Sequence, residues 1–114
     1  INEFGAIVFV GGSGAVKYIE NVDAHMIAYD ANKAGKVVAA ICIAPMILTH
    51  AGILKNKKVT VWDKDGSNIA RMESLEAKYV ADKNVVVDDN IVTANGPNAA
   101  AEFGKAIVDL LKSK

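Results

Sequence analysis

Lys36-Val37-Val38-Ala39-Ala40-Ile41-Cys42-Ile43-Ala44-Pro45-Met46-Ile47-Leu48 passes from an apolar run to a helix start, with one cysteine at the junction. Val37 to Ile41 is apolar at every position, the pattern of a strand buried on both faces of a parallel sheet. Ile43 to Leu48 then opens a helix. A residue pinned between strand end and helix start projects from the carboxyl edge of the sheet, where α/β folds place their chemistry. Ala40 and Ala44 flank Cys42 two positions away on each side, giving small-x-Cys-x-small. That is the logic of a nucleophile elbow, whose tight turn excludes large flanking side chains. A helix start also offers free N–H groups and a positive dipole end, which favour thiolate over thiol.

Working outward, Ala6 to Val10 is a second continuous apolar run, bounded by Gly5 and by Gly11-Gly12. A helix is predicted from about Val22 to Ala34, with Val22, Met26 and Tyr29 on its apolar face and Gly35 as its stop. The helix after Cys42 is expected to run to Gly52. Val59-Thr60-Val61-Trp62 reads as a short strand ending at the Asp63-Lys64-Asp65-Gly66 turn. Ser67 to about Leu75 is weakly helical. Val85 to Val87 and Ile91 to Thr93 flank Asp88-Asp89-Asn90 as a hairpin. Gly96-Pro97 precedes a closing helix with Phe103, Ile107, Leu110 and Leu111 on one face. Strands alternating with helices point to one α/β unit, residues 1–114, with a parallel sheet and helices on both faces.

Thirteen basic and thirteen acidic residues cancel, and Arg71 is the only arginine. This charge balance carries no footprint for nucleic acid or an anionic membrane surface. One cysteine excludes an internal disulfide, and a cytoplasmic setting is the simplest expectation. No apolar run approaches a membrane span. With 52% hydrophobic residues the chain can build a substantial core.

Gly12-Ser13-Gly14 fails as a dinucleotide fingerprint because Lys17 stands where the third glycine belongs. Asp63 and Asp65 resemble a calcium loop for three positions, but the distal Glu spacing is missing, and a solvated turn is expected instead. Asp88 and Asp89 suit the hairpin turn, and Glu73 and Glu76 an exposed helix face. His25 and His50 are read as surface or packing residues. His50 lies eight residues beyond Cys42, about 12 Å along a helix axis at 1.5 Å per residue. No Cys/His cluster could hold zinc, and no cofactor is expected.

The segments Val8-Phe9-Val10-Gly11-Gly12, Ala39 to Pro45, Ala51-Gly52-Ile53-Leu54, Lys58-Val59-Thr60, Val85 to Thr93 and Gly96-Pro97 together resemble the DJ-1/PfpI (ThiJ) superfamily. The resemblance runs over essentially the whole chain, in the same order. It implies a flavodoxin-like parallel sheet sandwiched by helices, related to class I glutamine amidotransferases. It further implies that the chain is the C-terminal portion of such a domain. With roughly 30 residues per βαβ unit, on the order of 60 would precede it, in the same polypeptide before cleavage or in a separate N-terminal fragment. The family's acidic partner of the nucleophile, a Glu, would lie in that front.

By this resemblance Cys42 matches the nucleophile, and the backbone N–H groups of Gly11, Gly12 and Ile43 would stabilise an oxyanion or a sulfinate. Read without the resemblance, the two glycines serve a turn needing positive φ. Pro45, Trp62, Gly96 and Pro97 would line the pocket. Peptidase-like members carry a His directly after the Cys, where this chain has Ile43. Others supply one at the end of the next strand, where Trp62 stands. The resemblance thus implies a cysteine-dependent enzyme acting on reactive aldehydes, glyoxalase- or deglycase-like, or a peptidase or amidase, with a small aldehyde or a peptide as substrate. Peptide hydrolysis needs a base beside the thiol and an acid for the leaving group, so the missing histidines weigh against it. The alternative is a redox-responsive thiol protein or chaperone of the same family. A homodimer or larger assembly is the family's habit.

Overall fold

The computed structural model describes residues 5–11 and 17–113. Its main sheet has four strands in the order β1-β2-β6-β5: β1 (Ala6–Val10), β2 (Val37–Ile41), β6 (Ile91–Ala94) and β5 (Val85–Asp88). β1, β2 and β6 run parallel, and β5 returns antiparallel through the hairpin, with Val85 opposite Ala94. A second, small parallel pair joins β3 (Lys58–Val59) to β4 (Lys78–Tyr79), which the sequence pattern does not announce.

α1 (Val22–Lys33), α2 (Pro45–His50) and α3 (Ser67–Ser74) gather on one face, in a core with Val38, Ala40, Leu48, Leu54, Met72 and Ile91. A 3₁₀ turn (Pro97–Ala99) leads into α4 (Ala100–Lys112), which covers the other face. There Phe103, Ala106, Ile107 and Leu110 pack on Val37, Ala39, Val92 and Ala94. Leu111, expected on that buried face, is 37% exposed at its margin.

α1 packs the opposite way from the expectation. Ala24, Ala28 and Ala31 are its buried stripe, whereas Val22, Met26 and Tyr29 are exposed. Both stripes share the i, i+4, i+7 spacing, so periodicity cannot choose between them. The alanines win because small side chains let the helix axis approach the sheet closely. The ends of α1 follow local chemistry. Asn21 caps it by accepting from Ala24 N–H at 2.9 Å. Gly35 stops it at φ +77°, with Lys36 N–H returning to Ala31 C=O at 3.0 Å.

The strand expected over Val59 to Trp62 ends at Val59. Thr60 N–H donates to Thr93 Oγ1 at 3.0 Å, and Trp62 N–H to Cys42 C=O at 2.8 Å. These two bonds turn the segment away from a ladder and tie it beneath the Cys42 junction.

Candidate active site

Cys42 is half-buried, with φ +66°, in the left-handed region that L-residues avoid. Four backbone hydrogen bonds hold the chain there. Cys42 N–H donates to Ala94 C=O at 3.0 Å, and Cys42 C=O accepts from Trp62 N–H. Ile41 C=O accepts from both Gly11 N–H at 3.1 Å and Ala44 N–H at 3.2 Å. The elbow is therefore braced from β1, β6 and the segment after β3. Such a conformation persists only where the surroundings over-determine it, and it is common at active sites. Because only glycine is free of the Cβ penalty here, Cys42→Gly should be about 1 kcal/mol more stable than Cys42→Ala. Urea denaturation of the two variants, both lacking the sulfur, checks this.

Gly11 is required by space rather than by φ, which corrects the positive-φ reading of this glycine. A Cβ there would lie 2.7 Å from Ile41 O, 2.9 Å from Ile43 N and 3.0 Å from Ala44 N. All three are backbone atoms of the elbow. Gly11 also differs from its expected role as an anion donor, since its N–H is already committed to Ile41 C=O. Ile43 N–H, directly after the cysteine, has no partner among the described residues and remains free to meet a developing negative charge. Gly12, with Ser13, Gly14 and Ala15, lies outside the described residues.

The expectation of an intrinsically activated thiol meets a correction. Burial pushes the Cys42 thiol above its ordinary value. α2 is only six residues long and has no side-chain cap, so its dipole is weak. Among the described residues no cation or hydrogen-bond donor faces the sulfur.

Of the pocket candidates, Trp62 is joined to the elbow through its backbone and is 45% exposed. Gly96 is buried and extended two residues past Ala94, and Pro97 is exposed at the head of the 3₁₀ turn. Pro45 is fully buried, so it starts α2 rather than lining a surface that a substrate could touch.

The other acidic and imidazole groups have structural work. Asp63 accepts from Ile69 N–H at 2.8 Å, and Asp65 from both the N–H and the hydroxyl of Ser67, at 3.0 and 2.7 Å. Both brace the start of α3, and the Ser67 contacts hold the Asp65 carboxyl below its ordinary value. Asp88 accepts from Lys58 N–H at 2.7 Å, and Asp89 pairs with Lys57 at 3.3 Å. Glu76 lies beyond the end of α3, not on its face, and pairs with Lys55 at 3.1 Å. Among the described residues no group of three or more His, Cys, Asp or Glu is placed to hold a metal, and no helix is long and apolar enough to cross a membrane.

His50 closes the far end of α2, beside an open cleft it shares with Lys55, Arg71 and Glu76. Its ring lies nearly parallel to that of His25, with centroids 6.3 Å apart. Burial first, then the positive charge of Arg71, hold its pKa below the ordinary 6.5; Glu20 opposes and His25 adds to the lowering. A histidine whose folded pKa is depressed is protonated first in the unfolded chain, so acid favours unfolding. Stability should fall as pH drops through about 6.5, and His50→Gln should flatten that slope. Thermal melts between pH 7.5 and 5.5 measure it.

With this geometry in place, comparison with known proteins is informative. The DJ-1/PfpI family model matches residues 1–110. The chain is 35% identical to deglycase PfpI of Pyrococcus furiosus, over 97% of this chain and 64% of that protein. It is 33% identical to glutathione-independent glyoxalase DJR-1.2 of Caenorhabditis elegans, over 96% of this chain and 56% of that protein. A ThiJ/PfpI domain protein from Brachyspira murdochii superposes with a TM-score of 0.91 at 34% identity, over 99% of this chain and 63% of that one. The chain thus spans less than two thirds of the length of these relatives. Its four-stranded, mainly parallel sheet between helices is part of the flavodoxin-like fold those structures share. The chain belongs to the DJ-1/PfpI family.

Proposed function

We propose that Cys42 adds to the carbonyl carbon of small reactive aldehydes, with methylglyoxal as the test substrate, in a glyoxalase- or deglycase-like reaction. The observation that carries this reading is the braced elbow, a cysteine at φ +66° with an unpartnered N–H directly after it. Relatives named deglycase and glyoxalase, at 35% and 33% identity, support the choice of aldehyde.

Sulfur forms a bond to the aldehyde carbon, and the carbonyl electron pair moves onto oxygen, toward Ile43 N–H. The S–H bond breaks, and the proton the sulfur loses ends on that oxygen, leaving a hemithioacetal. The hydrogen on the sulfur-bearing carbon then leaves as a proton, and the neighbouring ketone carbon is protonated in its place. The product is the thioester of a 2-hydroxy acid, and water releases the acid and restores the thiol. One water is added overall, with no external oxidant or reductant. The base that carries the proton is assigned to a carboxylate outside the described residues, the role of the family's Glu. Trp62, Gly96 and Pro97 are assigned to the substrate pocket. Peptide hydrolysis is less well supported, because Ile43 and Trp62 occupy the two positions where a histidine would serve.

The test is lactate formation from methylglyoxal by the protein purified from its source, beside its Cys42→Ala variant. Turnover that requires Cys42 supports the reading. Peroxide oxidation of Cys42 without turnover would replace it with the redox-responsive alternative.

A further inference from the structure

The cleft beside His50 lies at the opposite end of α2 from Cys42, and the aldehyde chemistry does not use it. It is open, about 430 Å³ in volume, within the range of small-molecule sites. The last turns of α2 and α3 meet at its wall and bring His50 and Arg71 together.

Arg71, the only arginine of the chain, is exposed and makes no ion pair or side-chain hydrogen bond among the described residues. The His50 ring makes no hydrogen bond among them either, and stacks on His25. A cation at a helix C-terminus usually serves the last carbonyls. Here carbonyls of both last turns already have partners. Thr49 C=O accepts from Gly52 N–H at 3.1 Å, and Leu48 C=O from Ile53 N–H at 3.4 Å. Arg71 C=O accepts from Leu75 N–H at 3.2 Å and from the Ser74 hydroxyl at 2.7 Å. Lys55 adds a third cation at the rim, paired with Glu76 at 3.1 Å, both side chains mostly exposed, so that the pair is weak. Glu20, just ahead of α1, is the acidic group that acts on His50 against Arg71 and His25.

We propose that this cleft binds a tetrahedral oxyanion, the phosphate group of a small phosphorylated molecule, between the Arg71 guanidinium and the His50 ring. The arginine fork takes two of its oxygens and His50 a third, with Lys55 beside them. A planar carboxylate fits less well, since the fork occupies both its oxygens and leaves His50 without one of its own. Burial, then repulsion from Arg71, hold the His50 pKa down. A dianion between the two offsets the repulsion, so the bound ligand and the proton on His50 favour each other. Binding therefore tightens as pH falls. The inference stands whether or not Cys42 turns over aldehydes.

The test is an NMR titration of the protein purified from its source with sodium sulfate, a tetrahedral dianion whose charge is constant between pH 7.5 and 5.5. The ring protons of His50, assigned with His50→Gln, should shift saturably, and the His50 pKa should rise. Arg71→Lys keeps the charge but loses the fork, and should weaken binding at least about fivefold, with Arg71→Gln weaker still. Shifts reproduced by sodium chloride at equal ionic strength would overturn the proposal. So would equal affinity in Arg71→Lys, or tighter binding of acetate than of sulfate.

Discussion

Cys42→Ala should abolish turnover of methylglyoxal, by about a thousandfold or more, while changing stability by no more than about 1 kcal/mol. The two expectations belong together. Covalent addition has no substitute nucleophile here, since Cys42 is the only cysteine in the chain. The thiol is only half-buried, at the margin of the core under α4, and its sulfur makes no hydrogen bond among the described residues, so its removal leaves no large cavity and no orphaned partner. Parallel measurement of lactate formation and urea midpoint separates loss of chemistry from loss of fold. A variant that unfolds would say nothing about nucleophilicity, and a variant that keeps its rate would remove Cys42 from the reaction.

The second large effect is expected at Gly11. Gly11→Ala brings a Cβ within 3.0 Å of three elbow backbone atoms, none of which can swing aside as a flexible side chain would. Overpacking of this kind costs about 1–3 kcal/mol. Relief by separating β1 from the elbow would break the Gly11 to Ile41 hydrogen bond and move Ile43 N–H. Activity should therefore fall well beyond the loss of folded protein, with kcat lowered more than KM is raised. Gly104→Ala is the control: it places a methyl group where nothing lies within 4 Å, and on a helix it should be neutral or slightly stabilising.

Much of this arrangement was legible before the structure. Continuous apolar runs identified β1 and β2, turn residues identified the hairpin, and Gly35 marked the end of α1. The elbow was legible because an apolar run ends at a lone cysteine flanked by small residues at 40 and 44, just before a helix start. The buried stripe of α1 was not, because an alanine stripe and a Val-Met-Tyr stripe share one period and only the sheet beneath decides between them. The early end of β3 depends on where Thr60 and Trp62 N–H groups go, to Thr93 and Cys42, contacts distant in sequence. The role of Gly11 was half legible. Its smallness is essential, but its N–H is spent on β2 rather than free for an anion. Thiol activation was not legible for a related reason: whether burial or a stabilising group prevails at Cys42 depends on residues distant in sequence.

That last point defines the central test. Burial among the described residues raises the thiol pKa, so a working nucleophile requires a stabilising group from elsewhere in the protein. The pH dependence of Cys42 alkylation should be measured on the protein purified from its source, with the modified site located by peptide mapping. A midpoint clearly below the unperturbed value of about 8.5 is the result expected of an activated nucleophile at this elbow. A midpoint at or above that value would contradict the proposed chemistry and leave Cys42 a strained but inert residue.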